Sequence, residues 1–205
     1  MPALSSFKIV IAGGFGAGKT TLIGSISEIP PLTTDELLTE AGEPIDSLDG
    51  VHGKSTTTVS LDFGRRTLTG PTPVVLYLFG TPGQQRFQFL WDGLARGAIG
   101  AVVLADTRRL ADSFPSIDYF EKRGTPFVVA VNQFDGARRY TTGQVRDALE
   151  LPAQVPVVAC DAREFTLTRT VLITLVQHAL TILRTSPPDP LHQPGRPVEG
   201  QAVHP

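Results

Sequence analysis

The sequence predicts a three-layer α/β domain around a six-stranded, mostly parallel sheet that has one antiparallel edge strand. Short runs of β-branched and aliphatic residues alternate with segments of helical periodicity, which is the pattern of parallel strands joined by crossover helices. A glycine-rich stretch, GGFGAGKTT, separates the first strand from the first helix. Polar turns follow the later strands, at the sheet edge where such folds bind ligands.

The N-terminal part begins with a buried strand, FKIVIAGG, at 7–14. A helix is predicted over 19–28, because its leucine and isoleucines fall on one helical face. Residues 29–55 contain many prolines, glycines and acids. We expect a long loop there, and a loop of this length in a compact domain is usually functional or mobile.

The remaining strands follow from hydrophobic runs between turn residues. TTTVSLDF at 56–63 and PVVLYLF at 73–79 are joined by a short turn, which predicts an antiparallel hairpin. Later runs predict buried parallel strands at 100–106, 126–132 and 155–160. Helical periodicity predicts helices at 86–98, 114–123, 142–150 and 164–184.

Length and composition indicate the domain organisation. We expect one domain over 1–184 and a disordered tail over 185–205, which is rich in proline and poor in large apolar residues. The formal net charge of −2 gives no basis for bulk binding to nucleic acid or to an anionic membrane. Cys160 is the single cysteine, so no internal disulfide is possible.

The sequence shows neither a secretory signal nor a lipidation motif. Its longest apolar stretch, 171–183, is too short for a membrane span. We therefore expect a cytoplasmic protein without a direct membrane anchor, whose association with a membrane would come only through partners.

The stretch GGFGAGKTT matches the phosphate-binding pattern G-x-x-x-x-G-K-[ST] and lies between a strand and a helix, as that chemistry requires. Its glycines let successive N–H groups point at phosphate oxygens, and the helix N-terminus adds positive potential. Lys19 supplies a cation for the β- and γ-phosphates, and Thr20 a hydroxyl for Mg²⁺. The motif alone does not distinguish ATP from GTP, or a hydrolase from a kinase. The predicted residues are Gly13, Gly14, Phe15, Gly16, Ala17, Gly18, Lys19, Thr20 and Thr21.

The segment AVNQFDG at 130–136 favours guanine as the base. Asn132 and Asp135 match the ends of the N-K-x-D pattern, and a carboxylate at the second position can accept from both N1–H and the 2-amino group of guanine. Adenine lacks this pair of donors and would leave the carboxylate unpaired. Gln133 replaces the usual lysine, so its stem would cover the base less fully. The alternative is an ordinary strand-end turn, because Asn and Asp favour turns.

The order of the motifs GGFGAGKTT, TTTVSLDFG, LFGTPGQQRF, NQFD and CDAR resembles the Ras-like small GTPases, a group of P-loop NTPases, over residues 7–184. Gly83-Gln84 followed by Leu90-Trp91 is closest to the Arf-like and gliding-type branches. The runs YLFGTPGQQRF and RGAIGAVVLADTRRL are similar to the GTPases encoded in actinobacterial conservons. The resemblance implies a G-domain that binds GTP or GDP with Mg²⁺.

The resemblance also implies roles for individual residues. Thr58 would coordinate Mg²⁺ when the γ-phosphate is present, with Thr56 and Thr57 as competing candidates. Gln84 would orient the attacking water and form the catalytic set with Lys19. The other implied nucleotide contacts are Gly83 and the segment Asp161, Ala162 and Arg163, which would place a backbone amide at the guanine oxygen.

Gly80 departs from the pattern, because related G-domains carry an aspartate there that reaches Mg²⁺ through a bound water. Such a group typically changes metal affinity about 10–100-fold. Asp62 and Asp106 lie at strand ends and are candidates to replace it, but the sequence alone leaves their distance from the metal open. We therefore expect Mg²⁺ to be held mainly by Thr20, Thr58 and the phosphates. We also expect GDP release to be weakly coupled to Mg²⁺, and Gly80 to be needed for its backbone freedom.

The sequence thus predicts a GTP/GDP switch in signalling that hydrolyses GTP slowly and is activated by a partner. By resemblance to the conservon products, its partners would be a roadblock-type protein and a sensor-kinase-like protein. Two alternatives stay open. A P-loop kinase or ATPase would bind ATP and leave NQFD unexplained, whereas a catalytically inactive G-domain scaffold would agree with Gly80 and Gln133.

Overall fold

The structure is a computed structural model that describes residues 5–39, 56–70, 73–83 and 85–185. The predicted tail and most of the predicted loop after 39 lie outside these residues, so the domain boundary at 184 stays a prediction. The described residues form seven strands: β1 (Ser5–Gly13), β2 (Leu32–Thr39), β3 (Thr56–Leu68), β4 (Val74–Gly80), β5 (Ala98–Asp106), β6 (Phe127–Asn132) and β7 (Val157–Cys160).

The strands make one sheet in the order β2-β3-β4-β1-β5-β6-β7. Strands β4, β1, β5, β6 and β7 are parallel to their neighbours in this series, whereas β3 is antiparallel to both β2 and β4. The predicted α/β class, the mostly parallel sheet and the β3–β4 hairpin are confirmed. The predicted count of six strands was wrong, and the antiparallel strand lies one place inside the edge.

The additional edge strand is β2, which pairs from Leu32 opposite Phe63 to Thr39 opposite Thr56. It falls in the segment that we expected to be a loop over 29–55. Its sequence, LTTDELLT, mixes threonines, acids and leucines and lacks the continuous apolar run of a buried strand. An edge strand tolerates charges, because they discourage pairing with another chain.

The helices are α1 (Lys19–Ile26), α2 (Trp91–Ala95), α3 (Phe114–Arg123), α4 (Thr142–Ala148) and α5 (Phe165–Thr185). The single helix predicted over 86–98 was wrong, because a 3₁₀ segment, Gln85–Leu90, precedes a short α2. Gly97 has φ of +73°, and β5 begins directly after it. This left-handed residue turns the chain into the sheet and limits the length of the helix.

The core fills both faces of the sheet, which explains the continuous apolar runs of β1, β5 and β6. On one face, Ile9, Ile11 and Leu104 pack with residues of α1 and α5. On the other, Val103, Phe120 and Val129 pack with residues of α3 and α4. The carboxyl ends of the parallel strands β4, β1, β5, β6 and β7 all lie at the same end of the sheet.

Within the described residues, α5 is long and apolar enough to cross a membrane by length and composition. The expectation that no stretch reaches such a length was therefore wrong. In the structure Val171, Leu172 and Leu175 of this helix are buried in the core against the sheet. This packing makes one face of α5 part of the core, whereas Ile173, Leu180 and Leu183 of the same helix are exposed.

Candidate nucleotide-binding site

The glycine-rich loop joins β1 to α1 at the carboxyl ends of the parallel strands. Gly13, Gly16 and Gly18 have φ of +134°, +72° and +102°, values that L side chains rarely adopt. A Cβ on Gly13 would lie 2.5 Å from the carbonyl oxygen of Leu104, and one on Gly18 would lie 2.5 Å from Asn132 Nδ2. The loop therefore requires glycine both for its conformation and for its close approach to neighbouring strands.

Lys19 lies inside this loop and is 8% exposed. Its Nζ donates to the carbonyl oxygens of Gly13, at 3.0 Å, and Gly14, at 2.8 Å. Burial lowers the pKa of Lys19 to about 8, and the nearby Asp62 carboxylate opposes this shift. The ammonium is thus positioned by carbonyl oxygens that phosphate oxygens could replace.

Asn132, at the end of β6, connects the phosphate-binding loop to the loop after β7. Its Nδ2 donates to the carbonyl oxygen of Ala17 at 2.9 Å, and its Oδ1 accepts from the backbone N–H of Ala162 at 2.9 Å. Asn132 is 4% exposed, so it acts as a buried tie between loops. A backbone amide of the segment 161–163 was expected at the guanine oxygen, and within this segment the amide of Ala162 is bonded to Asn132.

Asp135 is close to the same loops, and its side chain is 84% exposed. Both of its oxygens accept from the guanidinium of Arg163, at 2.6 and 3.0 Å. Arg163 also donates from Nε and Nη2 to Asp161, at 2.9 and 2.8 Å. Hydrogen bonding by Arg163 lowers the pKa of Asp135, and it also holds the pKa of Asp161 near 2. The predicted base-reading carboxylate therefore already has a bidentate partner.

Gln133 follows Asn132, and its backbone N–H donates to the carbonyl oxygen of Cys160 at 2.8 Å. Next to it, the Phe134 ring lies under the guanidinium of Arg108, 3.7 Å from the ring centroid. The structure thus brings the loop after β6 and the loop after β7 together. Thr21 is exposed in the first turn of α1.

Asp62 of β3 contacts the predicted metal-binding threonine. Thr20 Oγ1 donates to Asp62 Oδ2 at 2.6 Å, and Asp62 is 6% exposed. A Cβ on Gly80 would lie 3.1 Å from Asp62 Cβ and 3.2 Å from Asp62 Oδ2. Gly80 belongs to β4 and is not among the glycines with positive φ. The expectation that it provides backbone freedom was wrong, because its missing side chain leaves room for Asp62.

Asp106, the other candidate to replace an aspartate at position 80, is bound by Arg108. It is 3% exposed and accepts from Arg108 through the backbone N–H, Nε and Nη2, at 3.0, 2.9 and 2.8 Å. Burial alone would raise the pKa of Asp106, but its bonds with Arg108 leave the pKa below the usual value. Asp106 therefore anchors the turn after β5.

Of the predicted contacts Thr58, Gly83 and Gln84, the structure describes Thr58 and Gly83. A Cβ on Gly83 would lie 2.7 Å from Lys19 Nζ and 2.8 Å from the backbone N of Phe15, so the loop after β4 packs on the phosphate-binding loop. Gln84 lies outside the described residues. Thr58 is in β3, opposite Leu37 of β2 and four residues before Asp62. An extended strand puts about 13 Å between these two α-carbons, so this conformation does not bring Thr58 to Thr20.

Sequence reasoning missed Arg109, whose Nη2 donates to the carbonyl oxygen of Phe15 at 2.6 Å. It also missed that Arg163 binds Asp135. Both arginines follow the end of a strand at the ligand-binding edge of the sheet, and that position is the signal by which they could have been found. Their partners are distant in sequence, so the pairing itself required the structure.

The fold and the loop geometry define a P-loop nucleotide-binding protein. The family described as "conserved hypothetical ATP binding protein" matches residues 11–182, and the chain belongs to this family. The match runs from within β1 almost to the end of α5, and so covers the whole site described above.

Two curated proteins are similar to parts of the chain. An uncharacterized protein of Methanocaldococcus jannaschii is 27% identical over 130 residues, which are 62% of this chain and 70% of that protein. The Ras-related protein RABA1b of Arabidopsis thaliana is 29% identical over 117 residues, which are 57% of this chain and 44% of that protein. The second match spans less than half of the relative's length, so it supports a likeness to part of a Ras-related protein.

Proposed function

We propose that the protein is a GTP/GDP switch that binds guanine nucleotide and Mg²⁺ and hydrolyses GTP slowly. The observation that carries the proposal is the buried Asn132, which joins the phosphate-binding loop to the loops that follow β6 and β7. These two hydrogen bonds of Asn132 support a site in which Lys19 binds the phosphates and Asp135 binds the base. Similarity to a Ras-related protein agrees with this proposal.

To recognise guanine, Asp135 would have to release Arg163 and accept hydrogen bonds from the base. Its two oxygens accept from Arg163 in the structure, and the same oxygens would accept from N1–H and the 2-amino group of guanine. Adenine does not offer this pair of donors, so binding it would not compensate for loss of the ion pair.

The residues present fit Mg²⁺, which prefers oxygen ligands. Thr20 and Asp62 already place a hydroxyl and a carboxylate oxygen 2.6 Å apart beside Lys19. When bound, the ion would neutralise charge on the phosphates. Gln84 would hold the attacking water, and Lys19 would stabilise the charge that develops on the phosphate oxygens.

The decisive experiment measures affinity for GDP, GTP, ATP and xanthosine triphosphate. We expect tight binding of the guanine nucleotides and weak binding of ATP. Asp135→Asn should shift the preference toward the xanthine nucleotide, because an amide can donate to the carbonyl that replaces the amine. A variant that still selects GTP would show that Asp135 does not read the base.

Hydrolysis is tested by single-turnover measurements with GTP, alone and with a roadblock-type partner. Gln84→Leu should bind GTP but hydrolyse it more slowly, most visibly with the partner present. An inactive scaffold would instead show no turnover in either protein, and unchanged turnover in the variant would move catalysis to another residue.

ATP binding is the second candidate, because the description of the family names ATP. An ATPase or kinase of this fold would use the same Lys19 and Thr20 but would gain nothing from Asp135. Equal affinity for ATP and GTP, unaffected by Asp135→Asn, would favour this candidate.

The signalling role, the roadblock-type and sensor-kinase-like partners, and a cytoplasmic location with membrane association through those partners belong to the proposal as well. They rest on the resemblance of the motifs to the conservon GTPases. Co-purification of the tagged full chain with those gene products, from the nucleotide-loaded protein, would test them.

A further inference from the structure

We propose that Asp62 takes the magnesium-binding role that an aspartate at position 80 has in related G-domains. The inference rests on the proposed function in one respect, since it requires a nucleotide with Mg²⁺ at the phosphate-binding loop. It assigns this role to β3 and chooses Asp62 over Asp106, the two candidates that the sequence left open.

The position of Asp62 in the sheet supports this role. The β3–β4 ladder ends with Phe63 opposite Phe79, which sets Asp62 beside Gly80 on the neighbouring strand. A Cβ built on Gly80 would come within 3.1 Å of Asp62 Cβ. The side chain of Asp62 therefore occupies the space into which an aspartate at position 80 would extend.

The chemistry of Asp62 and its neighbours supports the same role. The Asp62 carboxylate is almost fully buried, accepts from the hydroxyl of Thr20 at 2.6 Å and lies near the Lys19 ammonium. A buried carboxylate is unfavourable unless it is paired, and these partners compensate for burial. Together, Thr20 and Asp62 form a hard-oxygen pair next to the phosphate-binding lysine, which is the donor type that Mg²⁺ requires.

Two other acids near the phosphate-binding loop, Asp106 and Asp112, have different contacts. Asp106 is also buried, but it is bound by Arg108 through three hydrogen bonds. Asp112 lies against Gly14, but its side chain is 48% exposed and its Oδ2 is 3.9 Å from Arg109 Nε. Asp62, by contrast, accepts a hydrogen bond from Thr20, the threonine predicted to bind the metal.

A role for Asp62 in binding Mg²⁺ reverses the expectation, made from the sequence, that GDP release is weakly coupled to Mg²⁺. If Asp62 supplies the contact, GDP release from the wild-type protein is strongly accelerated by a chelator. Gly80→Asp alone does not improve Mg²⁺ binding, because the new side chain meets Asp62 and Ile23 Cδ1, each about 3.1–3.2 Å from the added Cβ. The two carboxylates would also repel each other.

The experiment loads the protein with GDP that carries a fluorescent methylanthraniloyl group and follows its release over a range of free Mg²⁺ concentrations. Binding of Mn²⁺, observed by electron paramagnetic resonance, gives a second readout that does not depend on hydrolysis. Asp62→Asn keeps the size of the side chain, and we expect it to raise the Mg²⁺ concentration needed to slow release by about 10–100-fold. Release in excess chelator should stay within about threefold of wild type if the phosphate and base contacts are intact.

Asp112→Asn is the matched control, because it removes a charge that also lies against the phosphate-binding loop. It should change the Mg²⁺ dependence by less than about twofold. The double variant Asp62→Gly with Gly80→Asp moves the carboxylate to the neighbouring strand and should regain Mg²⁺ dependence that Asp62→Asn loses. Circular dichroism and thermal unfolding verify that each variant is folded.

The inference is overturned if Asp62→Asn keeps the wild-type Mg²⁺ dependence, or if the folded double variant fails to regain it. Either result would leave GDP binding, and hence the proposed function, in place. Failure of the wild-type protein to bind GDP or GTP at all would instead overturn the proposed function.

Discussion

At the scale of single residues, the site is a set of charged groups that already have partners within the protein. Lys19 bonds to two loop carbonyls, Thr20 to Asp62, and Asp135 to Arg163. Each of these bonds uses an atom that a bound nucleotide or its metal would use. Under the proposed function, binding would be an exchange of partners, for which the internal bonds hold the side chains in place beforehand.

Lys19→Ala should weaken binding of GDP and GTP by about 100-fold or more, because hydrogen bonds to a charged group contribute about 1.5–3 kcal/mol each. Isothermal titration calorimetry with the purified protein measures the loss. Lys122→Ala, on the exposed side of α3, is the control and should leave affinity unchanged. Wild-type affinity in Lys19→Ala would show that the phosphates bind elsewhere.

Arg163→Gln should strengthen binding of GDP by up to about fivefold, because Arg163 and guanine use the same oxygens of Asp135 and an exposed ion pair contributes little. Arg184→Gln, in the exposed last turn of α5, serves as the control. Fluorescence titration at fixed ionic strength measures the effect. Weaker binding would be the opposite result and would mean that the guanidinium contacts the nucleotide itself.

At the scale of elements, the buried strands and the phosphate-binding loop were predictable from sequence because their signals are local. Strands β1, β5 and β6 are continuous apolar runs, and the loop is defined by glycines at fixed spacing. β2 was missed because an edge strand carries no apolar run and depends on β3 for its hydrogen bonds. The contact of Asp62 with Thr20 was also out of reach, since it depends on the register of β3 and β4.

The β2–β3 ladder is the element on which switching would depend. Thr58 pairs with Leu37 in this ladder, so it can reach Mg²⁺ only if this end of the ladder separates or shifts. Hydrogen exchange of the amides at 56–60 should be at least about tenfold faster with a non-hydrolysable GTP analogue than with GDP. The amides of β6 are an internal control, and equal protection of 56–60 in both states would assign the switch to another segment.

At the scale of the whole molecule, the site consists of loops from strands that are far apart in sequence. The phosphate-binding loop follows β1, the predicted base-reading residues follow β6 and β7, and Asp62 comes from β3. The sheet brings them together, and Asn132 fixes the distance between two of the loops. An unfolded chain cannot form this arrangement, so a nucleotide that binds it stabilises the native state alone.

This linkage gives a test that uses only the wild-type chain and a matched pair of nucleotides. A ligand at about 100 times its dissociation constant adds about 2.7 kcal/mol to the free energy of unfolding. For a protein of this size, that increase corresponds to a rise in Tm of about 5–10 °C. We expect GDP with Mg²⁺ to produce such a rise and ATP at the same concentration to raise Tm by less than about 2 °C, because adenine does not replace Arg163 at Asp135. Differential scanning fluorimetry measures both, and Lys19→Ala should lose the rise with GDP. An equal rise with ATP would contradict base selection by Asp135 and support the ATP-binding candidate.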